Sequence, residues 1–153
     1  MKKNVSQLLS WGVTIFGALC GIVAFCMIFA TAVKTPYFLK ESFSGLQVAL
    51  GCSVNDNVVF KASAGLILSF VFPILAACVA IVGKGNKIAA VAAGALMVTG
   101  GALSLSTLNL LNQPVYIFAC ELAAGPIVAG IFSLIGGVTL LASLVVDGVL
   151  AKK

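Results

Sequence analysis

The sequence of 153 residues contains no histidine and no arginine, and it carries few charges of either sign. Histidine is the commonest metal ligand and the usual acid–base group near neutral pH, and arginine is the side chain that binds phosphate through two parallel hydrogen bonds. The four acidic residues are dispersed, so no two of them are placed as a general acid and a general base. The composition predicts a protein that is not an enzyme and has no cofactor or metal site.

Charged residues make up only 8% of the chain, whereas 61% of its residues are apolar. Ordinary soluble domains have about 25% charged residues, and a soluble domain of this length leaves about 30% of its unfolded surface exposed. Too few polar residues are present to cover such a surface, so a soluble fold is excluded and a lipid environment is predicted. The lysines form no basic patch with interleaved aromatic rings, and no nucleic-acid partner is predicted.

The charges divide the sequence into four long uncharged runs, residues 4–33, 62–83, 88–120 and 122–146. A helix rises about 1.5 Å per residue and the hydrocarbon core of a bilayer is about 30 Å thick, so about 20 apolar residues cross it. The cluster Asn112-Gln113-Pro114 ends the third helix early. We predict an all-α membrane protein, one domain over 1–153, with a bundle of four transmembrane helices at about 9–33, 62–83, 88–110 and 123–147 and loops at 34–61 and 111–122.

The positions of the lysines predict the orientation of this bundle. Six of the nine lysines fall at the two termini and between the second and third helices: Lys2, Lys3, Lys84, Lys87, Lys152 and Lys153. Because lysine is enriched in cytoplasmic loops, both termini are predicted to be cytoplasmic in a cell-membrane protein, and the loops 34–61 and 111–122 to lie outside.

A secretory signal is the alternative interpretation of the first apolar run. Lys2 and Lys3 precede it, and Ala30-Thr31-Ala32 suits signal peptidase. The uncharged stretch is longer than the 7–15 residues typical of a signal core, which favours a helix that stays in the protein.

Small residues recur at a spacing of four on three of the predicted helices. Such a face lets helix backbones approach closely in lipid. It is compatible with dimerisation and with packing inside one bundle, and its presence on several helices favours the bundle. The residues are Gly17 and Gly21; Ala90, Gly94, Gly100 and Ser104; and Ala129, Ser133 and Gly137.

The loop 34–61 is the longest polar segment and the predicted recognition element. Leu46, Val48 and Leu50 alternate with other residues, Asn55-Asp56-Asn57 is typical of a turn, and 58–60 is again β-prone. This pattern predicts a β-hairpin that pairs about 45–52 with 57–62. The rings near its start are alternatively anchors at the membrane interface. The candidate recognition residues are Tyr37, Phe38, Phe43, Gly45, Leu46 and Phe60.

Five cysteines are present, but none forms the C-x-x-C pair that a thiol oxidoreductase needs. Cys52 and Cys120 fall in the two predicted outer loops. They are therefore the candidate pair for one disulfide, which would suit an oxidising compartment.

A channel or carrier subunit is the alternative function. Coupled carriers place an ionisable residue within the bilayer, and Asp147 is the candidate, although an acid at a helix end beside lysines is the simpler interpretation. Asn109 and nearby hydroxyl groups give the third helix a polar end that would line a pore only in an oligomer. Asp147 and Asn109 are the candidate transport residues.

The predicted layout resembles that of claudin-like membrane proteins: four helices, both termini inside, a long first outer loop with hairpin character and a short second one. The claudin loop signature is a tryptophan, then Gly-Leu-Trp, then two cysteines. Here Gly45-Leu46 is followed by Gln47, Cys52 is the single loop cysteine and the loop has no tryptophan, so the resemblance is one of topology and implies no barrier role.

The segment from Ser44 to Gly51 resembles a second group, the small uncharacterised four-helix membrane proteins of low-GC Gram-positive bacteria and mollicutes. That resemblance implies a bacterial membrane protein and no activity. We therefore predict a structural or interaction role, through packing in the membrane and presentation of the outer loop. The expected partners are the lipid bilayer and either a second copy or another membrane protein.

Overall fold

The computed structural model describes residues 2–35, 41–54, 57–111 and 120–151, and within them all side chains except those of residues 2–6, 41, 57 and 147–151. Four long helices dominate: α1 (Lys2–Cys26), α3 (Ala64–Val82), α4 (Lys87–Leu105) and α6 (Ala124–Ala151). Each contains a stretch long and apolar enough to cross a membrane. These helices are those of a multi-pass membrane protein, and the prediction of four helices of spanning length is confirmed.

The four helices contact one another in a ring. Helix α6 packs against α1 and α4, and α3 packs against the same two helices. Glycines lie in these contacts: a Cβ built on Gly17 of α1 would lie 3.3 Å from the carbonyl oxygen of Gly136 on α6. At these contacts, the small residues therefore allow the helices to pack closely inside the bundle.

The start of α1, the turn between α3 and α4, and the last residues of α6 lie at one end of the bundle, which we name the turn end. Gly85 adopts a φ of +93° in this turn, a conformation that glycine reaches without strain. The Oδ1 of Asn86 accepts a hydrogen bond of 2.9 Å from the backbone N–H of Ile88, which caps the start of α4.

At the opposite end, the strand end, the described residues form five short strands and two short helices. A 3-10 turn at Met27–Phe29 leads from α1 into β1 (Thr31–Thr35). The other elements are β2 (Glu41–Ser44), α2 (Gly45–Leu50), β3 (Gly51–Val54), β4 (Asn57–Lys61), α5 (Thr107–Leu110) and β5 (Glu121–Leu122). Strand β1 is the centre of an antiparallel sheet in the order β2-β1-β5, and β3 pairs antiparallel with β4.

Several predicted helix boundaries are wrong. The first helix begins at Lys2 and not at about residue 9, and the fourth ends at Ala151 and not at residue 147. The first helix was expected to reach residue 33 but ends at Cys26, because residues 31–35 pair with strands on both sides. The third was expected to run from 88 to 110 but is interrupted at Ser106, which separates α4 from α5.

The predicted strand over 45–52 is wrong for residues 45–50, which form α2. Ser44 and Gln47 make a capping box: the Gln47 N–H donates to Ser44 Oγ at 3.3 Å, and the Ser44 N–H donates to Gln47 Oε1 at 2.9 Å. These two bonds satisfy backbone donors at the helix start, so the segment becomes a helical turn although its leucines and valine alternate. The strand pairing starts only at Gly51, opposite Lys61.

Candidate functional site

The elements of the strand end form a small folded unit with its own hydrophobic core. We name this unit the strand cap and define it as residues 31–35, 41–54, 57–61 and 120–123. At its centre the rings of Phe43 and Phe60 meet edge to face, with centroids 5.2 Å apart and planes at 80°. The other buried members of this core are Ala32, Val33, Val48, Ala49, Val59 and Leu66.

This core stabilises the strand cap. A two-stranded hairpin alone is marginally stable in water, but burial of a large apolar side chain contributes about 1.5–3 kcal/mol. Leu66 belongs to α3, so the core of the cap continues into the first turn of a membrane-spanning helix.

Backbone hydrogen bonds fasten the strand cap to the ends of the helices. The Gly45 N–H donates to the Ala30 carbonyl at 3.0 Å, and the Ser63 N–H donates to the Ala49 carbonyl at 3.0 Å. On the far side, the Ala123 N–H donates to the Ala32 carbonyl at 2.9 Å. Helix α2 is thus held at both ends, and its outer face has a fixed position relative to the bundle.

That outer face carries apolar side chains next to the exposed Gln47. Leu46 and Leu50, one helical turn apart on α2, are 38% and 58% exposed, and Val58 on β4 is 52% exposed. Residues four apart on a helix lie on the same side. The strand cap therefore presents apolar side chains on elements that backbone hydrogen bonds fasten to the bundle, outside the membrane-spanning stretches of the four long helices.

The candidate recognition residues occupy different places in this arrangement. Phe43, Gly45 and Phe60 are buried, so they shape the cap from inside, whereas Leu46 is exposed. Tyr37 and Phe38 lie outside the described residues. Sequence reasoning missed Leu50 and Val58 as surface residues. The Ser44-x-x-Gln47 capping signature was the available signal for α2.

Both members of the candidate disulfide pair pack against the cap core. Cys52 on β3 and Cys120, next to β5, are both half-buried and both pack against the cluster around Phe43 and Phe60. The fold therefore brings two cysteines that are far apart in sequence into one hydrophobic cluster. The other three cysteines lie on α1 and α3.

A cluster of polar contacts around Lys84 lies at the turn end and was not predicted. The Lys84 ammonium group donates to the Ser10 carbonyl at 3.0 Å, to Ser10 Oγ, and to Thr14 Oγ1 at 2.8 Å. It also lies over the ring of Trp11, 5.9 Å from the centroid, within the range of a cation–π interaction. These contacts join the α3–α4 turn to α1. They could not be predicted because the two segments are far apart in sequence.

The candidate transport residues do not form a site within the described part of the chain. Asn109 is exposed on α5, and the side chain of Asp147 lies outside the described residues. Two other polar atoms stand out: the hydroxyl oxygens of Ser104 on α4 and Ser133 on α6 are buried without a hydrogen-bond partner. They lie on two helices that pack together.

These features define a class: a multi-pass membrane protein whose four-helix bundle carries a folded strand cap at one end. No protein-family model matches the chain, and neither a curated protein nor a solved structure matches it.

Proposed function

We propose that the protein is a non-enzymatic cell-membrane protein that binds another membrane protein, or a second copy of itself, through the outer face of its strand cap. Both termini are cytoplasmic in this proposal and the cap lies outside. The observation that carries it is the pair Leu46 and Leu50, exposed on a helix that is fixed at both ends.

We include two resemblances in this proposal. One is to the small four-helix membrane proteins of low-GC Gram-positive bacteria and mollicutes, and the other is to the topology of claudin-like proteins. The support from physical chemistry is that single exposed apolar side chains are common, whereas neighbouring ones on a rigid element mark contact surfaces. Leu46, Leu50 and Val58 supply apolar area, and order already present in the cap lowers the entropy that binding costs.

Site-specific photo-crosslinking in native membranes tests the recognition role. A benzophenone side chain at Val58 is expected to attach covalently to a protein. Replacing Leu46 and Leu50 together by glutamine is expected to abolish that product, whereas Ser42→Gln, an exposed position on β2, leaves it unchanged. Crosslinks to lipid alone, or a product that survives the leucine replacements, would contradict the proposal.

Cysteine labelling tests the orientation separately. In intact cells an impermeant maleimide is expected to react with Cys52 or Cys120 after mild reduction. Lys87→Cys, at an exposed position at the turn end, is expected to stay unlabelled until the membrane is permeabilised. Labelling of that cysteine from outside would reverse the orientation.

A small oligomeric channel or carrier subunit is the second candidate function. The observation that favours it is that the hydroxyl groups of Ser104 and Ser133 are buried without a hydrogen-bond partner, since such groups are normally hydrogen-bonded. Flux through proteoliposomes that falls on Asp147→Asn or Ser133→Ala substitution would support this function. The same loss would count against a purely structural role.

A further inference from the structure

Two buried serines lie at the same level of the contact between α3 and α4. A Cβ built on Gly100 of α4 would lie 2.8 Å from Pro73 Cδ of α3, so these two residues face each other. The short turn that joins the two helices makes them run in opposite directions. One helical turn from this contact toward the strand end, α4 therefore has Ser104 and α3 has Ser69. Ser104 and Ser69 are 0% and 1% exposed.

A second contact confirms this register. The Ser63 hydroxyl, at the start of α3, donates to the Leu110 carbonyl of α5 at 2.9 Å. Ser63 lies six residues before Ser69 in the sequence. Leu110 lies six residues after Ser104. The two serines thus lie between two observed contacts of the same register.

The backbone carbonyl of Ser69 lacks its helical donor. In an α-helix each carbonyl accepts a hydrogen bond from the N–H four residues later. For Ser69 that residue is Pro73, which lies inside α3 and has no N–H. An unsatisfied backbone carbonyl is costly in a membrane-spanning helix, and neighbouring side chains or ordered waters normally supply the missing donor.

The Ser104 hydroxyl has the complementary requirement. It is buried without a hydrogen-bond partner, although buried hydroxyl groups are normally hydrogen-bonded. The Ser69 hydroxyl does not supply the missing donor, because it donates to the Leu66 carbonyl at 2.7 Å. One level of the α3–α4 contact therefore contains a donor without an acceptor and an acceptor without its helical donor.

We propose that one buried water molecule binds between α3 and α4 at this level and joins these two groups. The water accepts a hydrogen bond from the Ser104 hydroxyl and donates one to the Ser69 carbonyl. Ser69 Oγ has lone pairs that can accept from the second hydrogen. Buried waters typically make about three such bonds to otherwise unsatisfied groups. A calcium or magnesium ion fits less well, because it requires about six oxygen ligands.

This water site lies inside the bundle and goes beyond the proposed recognition by the strand cap. The recognition role neither requires the water nor follows from it. The consequence of the site is structural: the water ties α3 to α4 at the point where Pro73 deprives α3 of one of its own hydrogen bonds.

Solid-state NMR of the full-length protein in lipid bilayers tests the site. Serine carbonyl carbons and phenylalanine nitrogens are isotopically labelled, so that the two Ser-Phe peptide bonds, Ser69–Phe70 and Ser42–Phe43, give selective signals. The bilayers are prepared in water enriched in the magnetic isotope of oxygen. A serine hydroxyl does not exchange its oxygen with water. Dephasing of the Ser69 carbonyl by the labelled oxygen therefore reports a bound water and not a direct bond from Ser104.

The unmodified protein is expected to show this dephasing at Ser69. Ser104→Ala removes the donor with little change of volume and is expected to abolish the dephasing. Pro73→Ala restores a backbone N–H to the Ser69 carbonyl and is also expected to abolish it. Ser133→Ala is the matched control, because it removes the other buried hydroxyl without a partner, on α6, and it is expected to leave the dephasing unchanged.

Four results would overturn the proposal. One is the absence of dephasing at Ser69 in the unmodified protein. Another is equal dephasing in the unmodified protein and Ser104→Ala, since water would then reach the carbonyl without the hydroxyl, as in a water-filled pore. The third is dephasing that persists in Pro73→Ala. The fourth is equal loss in Ser133→Ala and Ser104→Ala, which would assign the water to the contact between α4 and α6.

Discussion

Gly94 and Gly137 approach each other reciprocally across the contact between α4 and α6. A Cβ on Gly94 would lie 3.4 Å from the Gly137 carbonyl oxygen, and a Cβ on Gly137 would lie 3.2 Å from the Gly94 carbonyl oxygen. Gly101 and Gly130 repeat the arrangement at 3.0 and 3.2 Å. The two pairs are one heptad apart on both helices, the spacing of helices that pack nearly antiparallel with a small crossing angle.

We predict that Gly137→Ala lowers the free energy of unfolding by about 1–3 kcal/mol, the usual cost of overpacking. The added Cβ would lie 2.7 Å from Val98 Cγ2 and close to the α4 backbone. Gly12→Ala is the matched control, because the same change in open space is expected to leave stability unchanged or to raise it through helix propensity. Thermal unfolding in detergent, followed by circular dichroism, measures both. Equal effects of the two changes would contradict the close α4–α6 approach.

Lys84→Met is predicted to destabilise the bundle, since it removes the bonds to Ser10 and Thr14. Hydrogen bonds that involve a charged group contribute about 1.5–3 kcal/mol. Lys87→Met, an exposed position three residues on, is expected to change stability little. A double-mutant cycle of Lys84→Met with Thr14→Val, read by thermal unfolding, should give a coupling energy. Strictly additive effects would show that the Lys84–Thr14 contact contributes nothing.

Cys52 and Cys120 are predicted to form a disulfide when the protein is exposed to glutathione disulfide. Closing a loop of about 70 residues is expected to stabilise the strand cap by about 4 kcal/mol in the chain-entropy model. The bond is read by peptide mass spectrometry without reduction and by the mobility of the protein on a non-reducing gel. Cys52→Ser should remove it, and Cys78→Ser, on α3, should not. Two free thiols at these positions under oxidising conditions would contradict the prediction.

Ser133→Ala is predicted to leave stability unchanged or to raise it, because the hydroxyl it removes is buried without a partner and burying such a group is unfavourable. Ser143→Ala is the comparison, since that hydroxyl donates to the Leu140 carbonyl at 2.6 Å. It is expected to be the more harmful change. Thermal unfolding of the two variants provides the measurement, and a large loss from Ser133→Ala alone would show that its hydroxyl has an essential partner.

The number of membrane spans can be predicted from the sequence because it depends only on the length and composition of consecutive residues. Uncharged runs such as 62–83 must exceed the bilayer thickness, and the charges that end them are visible directly. The span from Ala64 to Val82 accordingly lies within two residues of its predicted bounds. No knowledge of tertiary contacts is needed for this step.

The strand cap was harder to predict because its structure depends on contacts between distant segments. Nothing in the apolar run 27–33 shows where α1 gives way to β1, since that boundary depends on pairing with residues 41–44 and 121–122. Helix α2 is a different case. Ser44 and Gln47 signalled a helix start locally, but the alternation of Leu46, Val48 and Leu50 indicated a strand, and the capping hydrogen bonds decided the outcome.

The site residues divide in the same way. Cys52 and Cys120 were the candidate disulfide pair because they lie in two loops at one end of the bundle. Both pack against one hydrophobic cluster, and the bond between them stays a prediction. The contact of Lys84 with Ser10 was not predicted, because a loop lysine usually extends into solvent and no pattern links it to a serine on another helix.

The pairing of Val33 with Leu122 also affects the order in which the protein can be made. At about 5–20 residues per second, roughly 5–20 s of synthesis separate β1 from the strand that closes its open edge. During that interval α3 and α4 must be synthesised and inserted, and the edge of β1 that will pair with β5 has unpaired backbone groups. Such an edge is a risk for aggregation. The strand cap can therefore be completed only after the third span has been synthesised. A chain that stops before residue 120 is expected to be recognised and degraded.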